Sequence, residues 1–155
     1  MIIDINYLLD YGLPVSDEIS SERLERAIFT AEQVIVKPRL GDYYIAITDD
    51  PDEYYDILNG GPVTDGDKSA YLAGLKPAMA HLAFAVLLNQ MVNATAFSSV
   101  IKTEEYSEPA DDTRLRQAGM NNAEIGLQYL REITDWLKID NTDKNLPNII
   151  WSEFL

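Results

Sequence analysis

The chain has 155 residues, 46% of them hydrophobic, with 12 basic against 26 acidic side chains and a formal charge of −14. A chain of this length can bury roughly 68–70% of its unfolded surface, so one globular domain forms without outside help. The lack of cysteine excludes a disulfide framework, a thiolate nucleophile and a Cys-based zinc site, and the acid excess with no cluster of Lys and Arg excludes tight binding to nucleic-acid phosphates.

The amino terminus, "MIIDINYLLDYG", carries acids where a signal peptide would carry Lys or Arg, which predicts a chain made and kept inside a cell. A turn at Gly12, Leu13 and Pro14 follows, and then a polar stretch in which Ser20 or Ser21 can cap a helix with Glu22 and Glu25 at its positive end. Leu24, Ala27, Ile28, Ala31, Val34 and Ile35 sit at offsets 0, 3, 4, 7, 10 and 11, one face of an amphipathic helix. Pro38 is expected to end that helix by biasing Lys37 away from helical angles.

Residues 43–47 fit either a short strand or a helical turn. Five acids within residues 49–56 have no basic neighbour, so that stretch is solvated or meets a partner. Asn59, Gly60, Gly61 and Pro62 read as a turn. A second helix is expected from Asp65 or Asp67 to about Asn93, kinked or reset at Pro77, with Leu72, Leu75, Met79, Leu82, Val86 and Met91 on one side. Ala83, Phe84, Ala85, Leu87 and Leu88 make its middle apolar nearly all round, the signature of a central, buried helix. The longest apolar run, residues 78–88, contains His81 and falls far short of the ~20 residues of a membrane span.

After Asn93 the helical period is lost in "ATAFSSVIKTEEYSEP", which predicts an extended strand or hairpin arm. Pro109 suits the first turn of a third long helix carrying Met120, Ala123, Leu127, Leu130, Ile133 and Leu137 and ending near Asp140 and Asn141. The closing "NLPNIIWSEFL" is too short for a core of its own and must dock, on this subunit or another. The expected class is therefore mainly α: a bundle of three or more helices, with an arm between the second and third main helices, a domain over residues 1–140 and a docking tail over 141–155.

No catalytic constellation emerges. The stretch from Asp65 has Ala70 and Lys76 where a calcium loop needs Gly and Glu. With His81 the only histidine, a paired Glu-x-x-His metal site cannot form, and the residue reads as a core or interface histidine. The glycines lack phosphate-loop spacing, and G-x-S-x-G is absent. Two of 26 acids lying close together is expected by chance, and Asn93-Ala94-Thr95 reads as a helix end more readily than as a glycosylation acceptor. No enzyme, cofactor or metal is expected.

Taken together, "VIVKPRLGDYY", "ILNGG" followed by "LAGLKPAMAHLAFAVLLNQMV", "SSVIKTEEYSEP" and "NAEIGLQYLREITDWL" resemble the small head-tail connector (adaptor) proteins of tailed phages and prophages, of the type found in Bacteroides-like hosts. The likeness covers roughly residues 20–140. Pro77 departs from it, since members more usually have a helix former there. The resemblance implies a virion structural protein made in the host bacterial cytoplasm, a helical bundle that closes into a ring, typically twelvefold, between the portal and the tail or tail-completion protein at the capsid vertex.

It also implies that Tyr43, Tyr44, Tyr54 and Tyr55, the arm residues Phe97, Val100 and Ile101, and the tail residues Ile149, Ile150, Trp151, Phe154 and Leu155 meet other subunits or the portal. Tyr offers large, rigid contact area with a polar tip, although packing within the subunit is an equal alternative for the four tyrosines. Acids such as Asp49, Asp50, Asp52, Glu53, Glu104 and Glu105 would face a channel through which DNA slides without specific binding. A different class, an acidic helical binding module or DNA mimic, explains the charge equally well.

Overall fold

In a computed structural model, which describes residues 1–98, 112–142 and 146, the first regular element starts where Asp4 accepts a hydrogen bond from the Tyr7 N–H at 2.8 Å. That cap opens α1, Ile5–Asp10. Ser20 then accepts from the Arg23 N–H at 3.3 Å and opens α2, Ser21–Thr30, with Leu24, Ala27 and Ile28 buried as the apolar stripe predicts.

Beyond Thr30 the helix widens into a π-helical segment, Ala31–Val36, in which the Lys37 N–H reaches back to the Glu32 carbonyl, and α3, Lys37–Leu40, continues it. Pro38 therefore does not stop the helix. Its ring would meet the carbonyl of residue 34 in an unbroken α-helix, and the wider turn relieves that conflict. Arg39 adds a bond from Nη1 to the Ile35 carbonyl at 2.9 Å. The halt comes three residues later, at Gly41, whose φ of 57° turns the chain out of the helix. One side effect is that Val34, at the margin of the stripe, is 44% exposed.

Residues 43–47 are helical, within α4, Asp42–Asp49, and α5 spans Tyr55–Asn59. The sequence expectation of a helix from Asp65 or Asp67 is overturned: β1, Gly61–Asp65, pairs antiparallel with β2, Lys68–Leu72, in the register Gly61 with Leu72 through Asp65 with Lys68. The two-residue loop of Gly66 and Asp67 has φ of 61° at Gly66, the arrangement of a II′ hairpin turn. Asp and Gly at the loop were read as helix-start residues when they were hairpin residues.

That hairpin moves the start of α6, Leu75–Ser98, so that Pro77 lies in its first turn, where a missing N–H costs nothing and no kink follows. Residues 78–88 are all buried, the central helix that their composition predicts. The helix also runs through residues 94–98, which were expected to begin the arm, so Phe97 belongs to α6. Val100, Ile101, Glu104 and Glu105 lie outside the described residues.

The last helix, α7, spans Asp112–Trp136 and ends before the expected Asp140. Lys138 adopts φ of 58°, with Ile139 N–H bonded to the Thr134 carbonyl at 2.9 Å and Lys138 N–H to the Asp135 carbonyl at 3.1 Å. This is a Schellman ending with a lysine where glycine is usual. α6 packs most extensively on α7 and also on α2, the π-helical segment and α5, so the chain is mainly helical with one small sheet at its side. Gly126 of α7 faces Leu82 so closely that a Cβ there would lie 2.6 Å from Leu82 Cγ.

Candidate functional site

The four tyrosines expected at an interface divide into two pairs. Tyr43 is 36% and Tyr55 61% exposed, whereas Tyr44 and Tyr54 pack against the subunit's own core. Ile45 at 60% and Tyr71 of β2 at 77% join the exposed group. Asp49, Asp50, Asp52 and Glu53 are exposed at the end of α4 and in the turn that follows, along with Asp42 and Asp56 on the two helices. Among the described residues the one ion pair is Arg26 with Glu22, at 2.9 Å, so these acids have no cationic neighbour in contact. The tail residues Ile149, Ile150, Trp151, Phe154 and Leu155 lie outside the described residues.

Tyr44 is held by a carboxylate that the sequence argument passed over. Glu32, on the π-helical segment, is only 1% exposed. Its Oε1 accepts the Tyr44 hydroxyl at 2.6 Å and its Oε2 accepts the Ile2 N–H at 3.0 Å. Gln33 Nε2 donates to the same hydroxyl at 3.4 Å, and Lys37 Nζ lies 5.3 Å from the ring centroid of Tyr44. Burial, followed by the bond to Glu32, pushes the Tyr44 phenol above its ordinary range. The carboxylate thus joins three chain segments: the amino terminus, the π-helical segment and α4. A signal was present in the sequence, since Glu32 stands at offset 8 from Leu24, inside the apolar stripe, where a charged side chain must be paired or hydrogen-bonded.

His81 is the second buried polar centre. Asn122 donates from Nδ2 to the Ala118 carbonyl at 2.8 Å, which turns its Oδ1 towards His81 Nδ1, also at 2.8 Å. Nδ1 must therefore carry the proton, and Nε2 accepts the Tyr11 hydroxyl at 3.1 Å. The rings of Tyr11 and Tyr129 stand edgewise to the imidazole at 5.3 and 5.7 Å. This is the core histidine anticipated from the sequence, tying α1 to α6 and α7. Among the described residues no group of three His, Cys, Asp or Glu side chains is placed to hold a metal ion, and no helix is long and apolar enough to cross a membrane.

Residues 36–147 match the model of a family described as a family of unknown function, DUF6712. The chain belongs to the DUF6712 family. Comparison with curated proteins and with solved structures gives no match. In this DUF6712 chain the matched span opens at Val36, the last residue of the π-helical segment, so Tyr44 lies inside it while its partners Glu32 and Ile2 lie before it. The hairpin, α6, α7 and the acidic α4–α5 corner all fall within the span.

Proposed function

We propose that this DUF6712 protein is a head-tail connector subunit of a tailed phage or prophage, a helical bundle that closes through heterologous contacts into a ring between portal and tail. The observation that carries the reading is the stretch from α4 to β2. It exposes Ile45, Tyr55 and Tyr71, each at least 60% accessible, among acids that no described cation neutralises. Large apolar and aromatic side chains left in water are suited to partner surfaces, and Tyr is enriched in such surfaces. The sequence resemblance supplies the identity of the partners: further copies of the chain, the portal, and a tail or tail-completion protein.

The exposed acids suit a channel wall under this reading. Duplex DNA meets no cation to hold it and slides during packaging and ejection. The alternative of an acidic binding module or DNA mimic shares the charge but has no need of three exposed apolar side chains between the acids.

The test is electron microscopy and native mass spectrometry of the chain, alone and with the portal protein encoded in the same genome. Rings are expected, with twelve subunits as the leading stoichiometry, and Tyr55→Asp with Tyr71→Asp should prevent them while leaving the circular dichroism unchanged. A chain that remains monomeric in both settings, or a ring whose bore is lined with Lys and Arg, refutes the proposal.

A further inference from the structure

Beyond the end of α7, the chain turns at Lys138 and runs along a groove of about 430 Å³ between α7 and the end of α3. Its apolar wall is formed by Leu127, Leu130 and Ile139, with Arg39 and Arg131 at its rim. Neither arginine has an ionic partner among the described residues. Asn141 lines the same groove. Its Nδ2 donates to the Arg39 carbonyl at 3.3 Å, which fixes the amide, and its Oδ1 is left buried with no hydrogen-bond partner. A buried acceptor in that state costs about 1–3 kcal/mol unless something donates to it.

The groove therefore calls for a ligand of defined chemistry: an N–H donor beside apolar side chains, with an acid to meet the arginines. Leu146 already lines the groove, and the sequence that follows it is "PNIIWSEFL". These residues carry Ile149, Ile150, Trp151, Phe154 and Glu153, and every non-proline residue among them has a backbone N–H. We propose that the segment of residues 147–155 docks into this groove of its own subunit, with a backbone N–H donating to Asn141 Oδ1, apolar side chains against Leu127, Leu130 and Ile139, and Glu153 meeting Arg39 or Arg131. Attachment at the rim favours the chain's own tail over a second copy, because a short tether sets an effective concentration in the millimolar range. At ~3.3 Å per residue, the five residues from Leu146 to Trp151 span up to ~17 Å, so the reach is not limiting. The inference does not depend on the ring, and it concerns the free subunit.

The chain has two tryptophans, so Trp136→Phe leaves Trp151 as the sole tryptophan reporter. In the full-length protein, Trp151 emission should be blue-shifted and protected from acrylamide, and both properties should be unchanged over a hundredfold dilution. Ile150→Asp with Phe154→Asp, which leaves the helical core untouched, should shift the emission to that of exposed indole. Asn141→Leu should weaken the protection with little change in circular dichroism. Emission typical of exposed indole at every concentration overturns the proposal, and so does protection that disappears on dilution, which would place the tail on a second copy. Failure to form rings with the portal would sink the connector reading and leave this one standing.

Discussion

The contact of Leu82 with Gly126 allows the packing of α6 on α7 to be tested quantitatively. Leu82 is fully buried, and the residue facing it has no side chain that could swing into a vacated space. Leu82→Ala should therefore fall in the upper part of the usual range for such truncations, about 3–5 kcal/mol. At ~2–4 °C per kcal/mol for a chain of this size, the melting temperature drops by roughly 6–20 °C.

Gly126→Ala alone places a Cβ 2.6 Å from Leu82 Cγ and 3.0 Å from the Ala78 carbonyl oxygen. That overpacking costs ~1–3 kcal/mol, partly offset by up to ~1 kcal/mol of helix propensity. In the double variant the new methyl group occupies space that Leu82 has left, so the pair should be less destabilised than the sum of the two by ~1–3 kcal/mol. Urea titration followed by far-UV circular dichroism measures all four corners of the cycle. Additive effects would show that the two residues do not meet, and an unchanged stability for Leu82→Ala would show that α6 is not the central helix.

Two further outcomes concern the polar centres. Glu32→Gln keeps the shape of the side chain but turns an NH2 group towards one of its two donors, so stability should fall by ~1–3 kcal/mol and hydrogen exchange at the Ile2 amide should quicken; an unchanged melt would mean that the carboxylate is not the anchor of the amino terminus. Burial, the main cause, raises the phenols of Tyr7, Tyr11 and Tyr44 above 10.0, so the folded chain keeps protons that the unfolded chain releases. Stability from this source is complete below about pH 10 and is lost as pH rises past it. The urea midpoint should fall between about pH 9 and pH 11, less steeply in Tyr44→Phe, and a flat profile would contradict the shifts.

Helical periodicity made the long elements legible, because a face of Leu, Ile and Ala spaced at three and four residues can be satisfied only by burial. The stripe of α2, the all-round apolar middle of α6 and the face of α7 are of this kind. Punctuation was harder to read, since Pro and Gly act through their surroundings. Pro38 is tolerated because the turn before it widens, Pro77 because the hairpin shifts the helix start to Leu75, and the Gly66 that forms the hairpin looks in sequence like a helix-start signal. At the candidate site, exposure could be expected for Tyr43 and Tyr55, but the inward turn of Tyr44 depends on Glu32, a partner twelve positions away whose burial breaks the general rule for acids.

The hairpin has one more implication. In the observed register Pro62 stands opposite Tyr71, and the close-paired residues Asp65 and Lys68 at the loop set the alternation, so the nitrogen of Pro62 points away from its partner strand. Proline has no hydrogen there to offer. Of the interior residues of β1, Thr64 alone directs an amide outward, leaving an incoming strand too few donors to extend the ladder. A lone ribbon would otherwise be an invitation to fibril growth, and this border comes with its own deterrent.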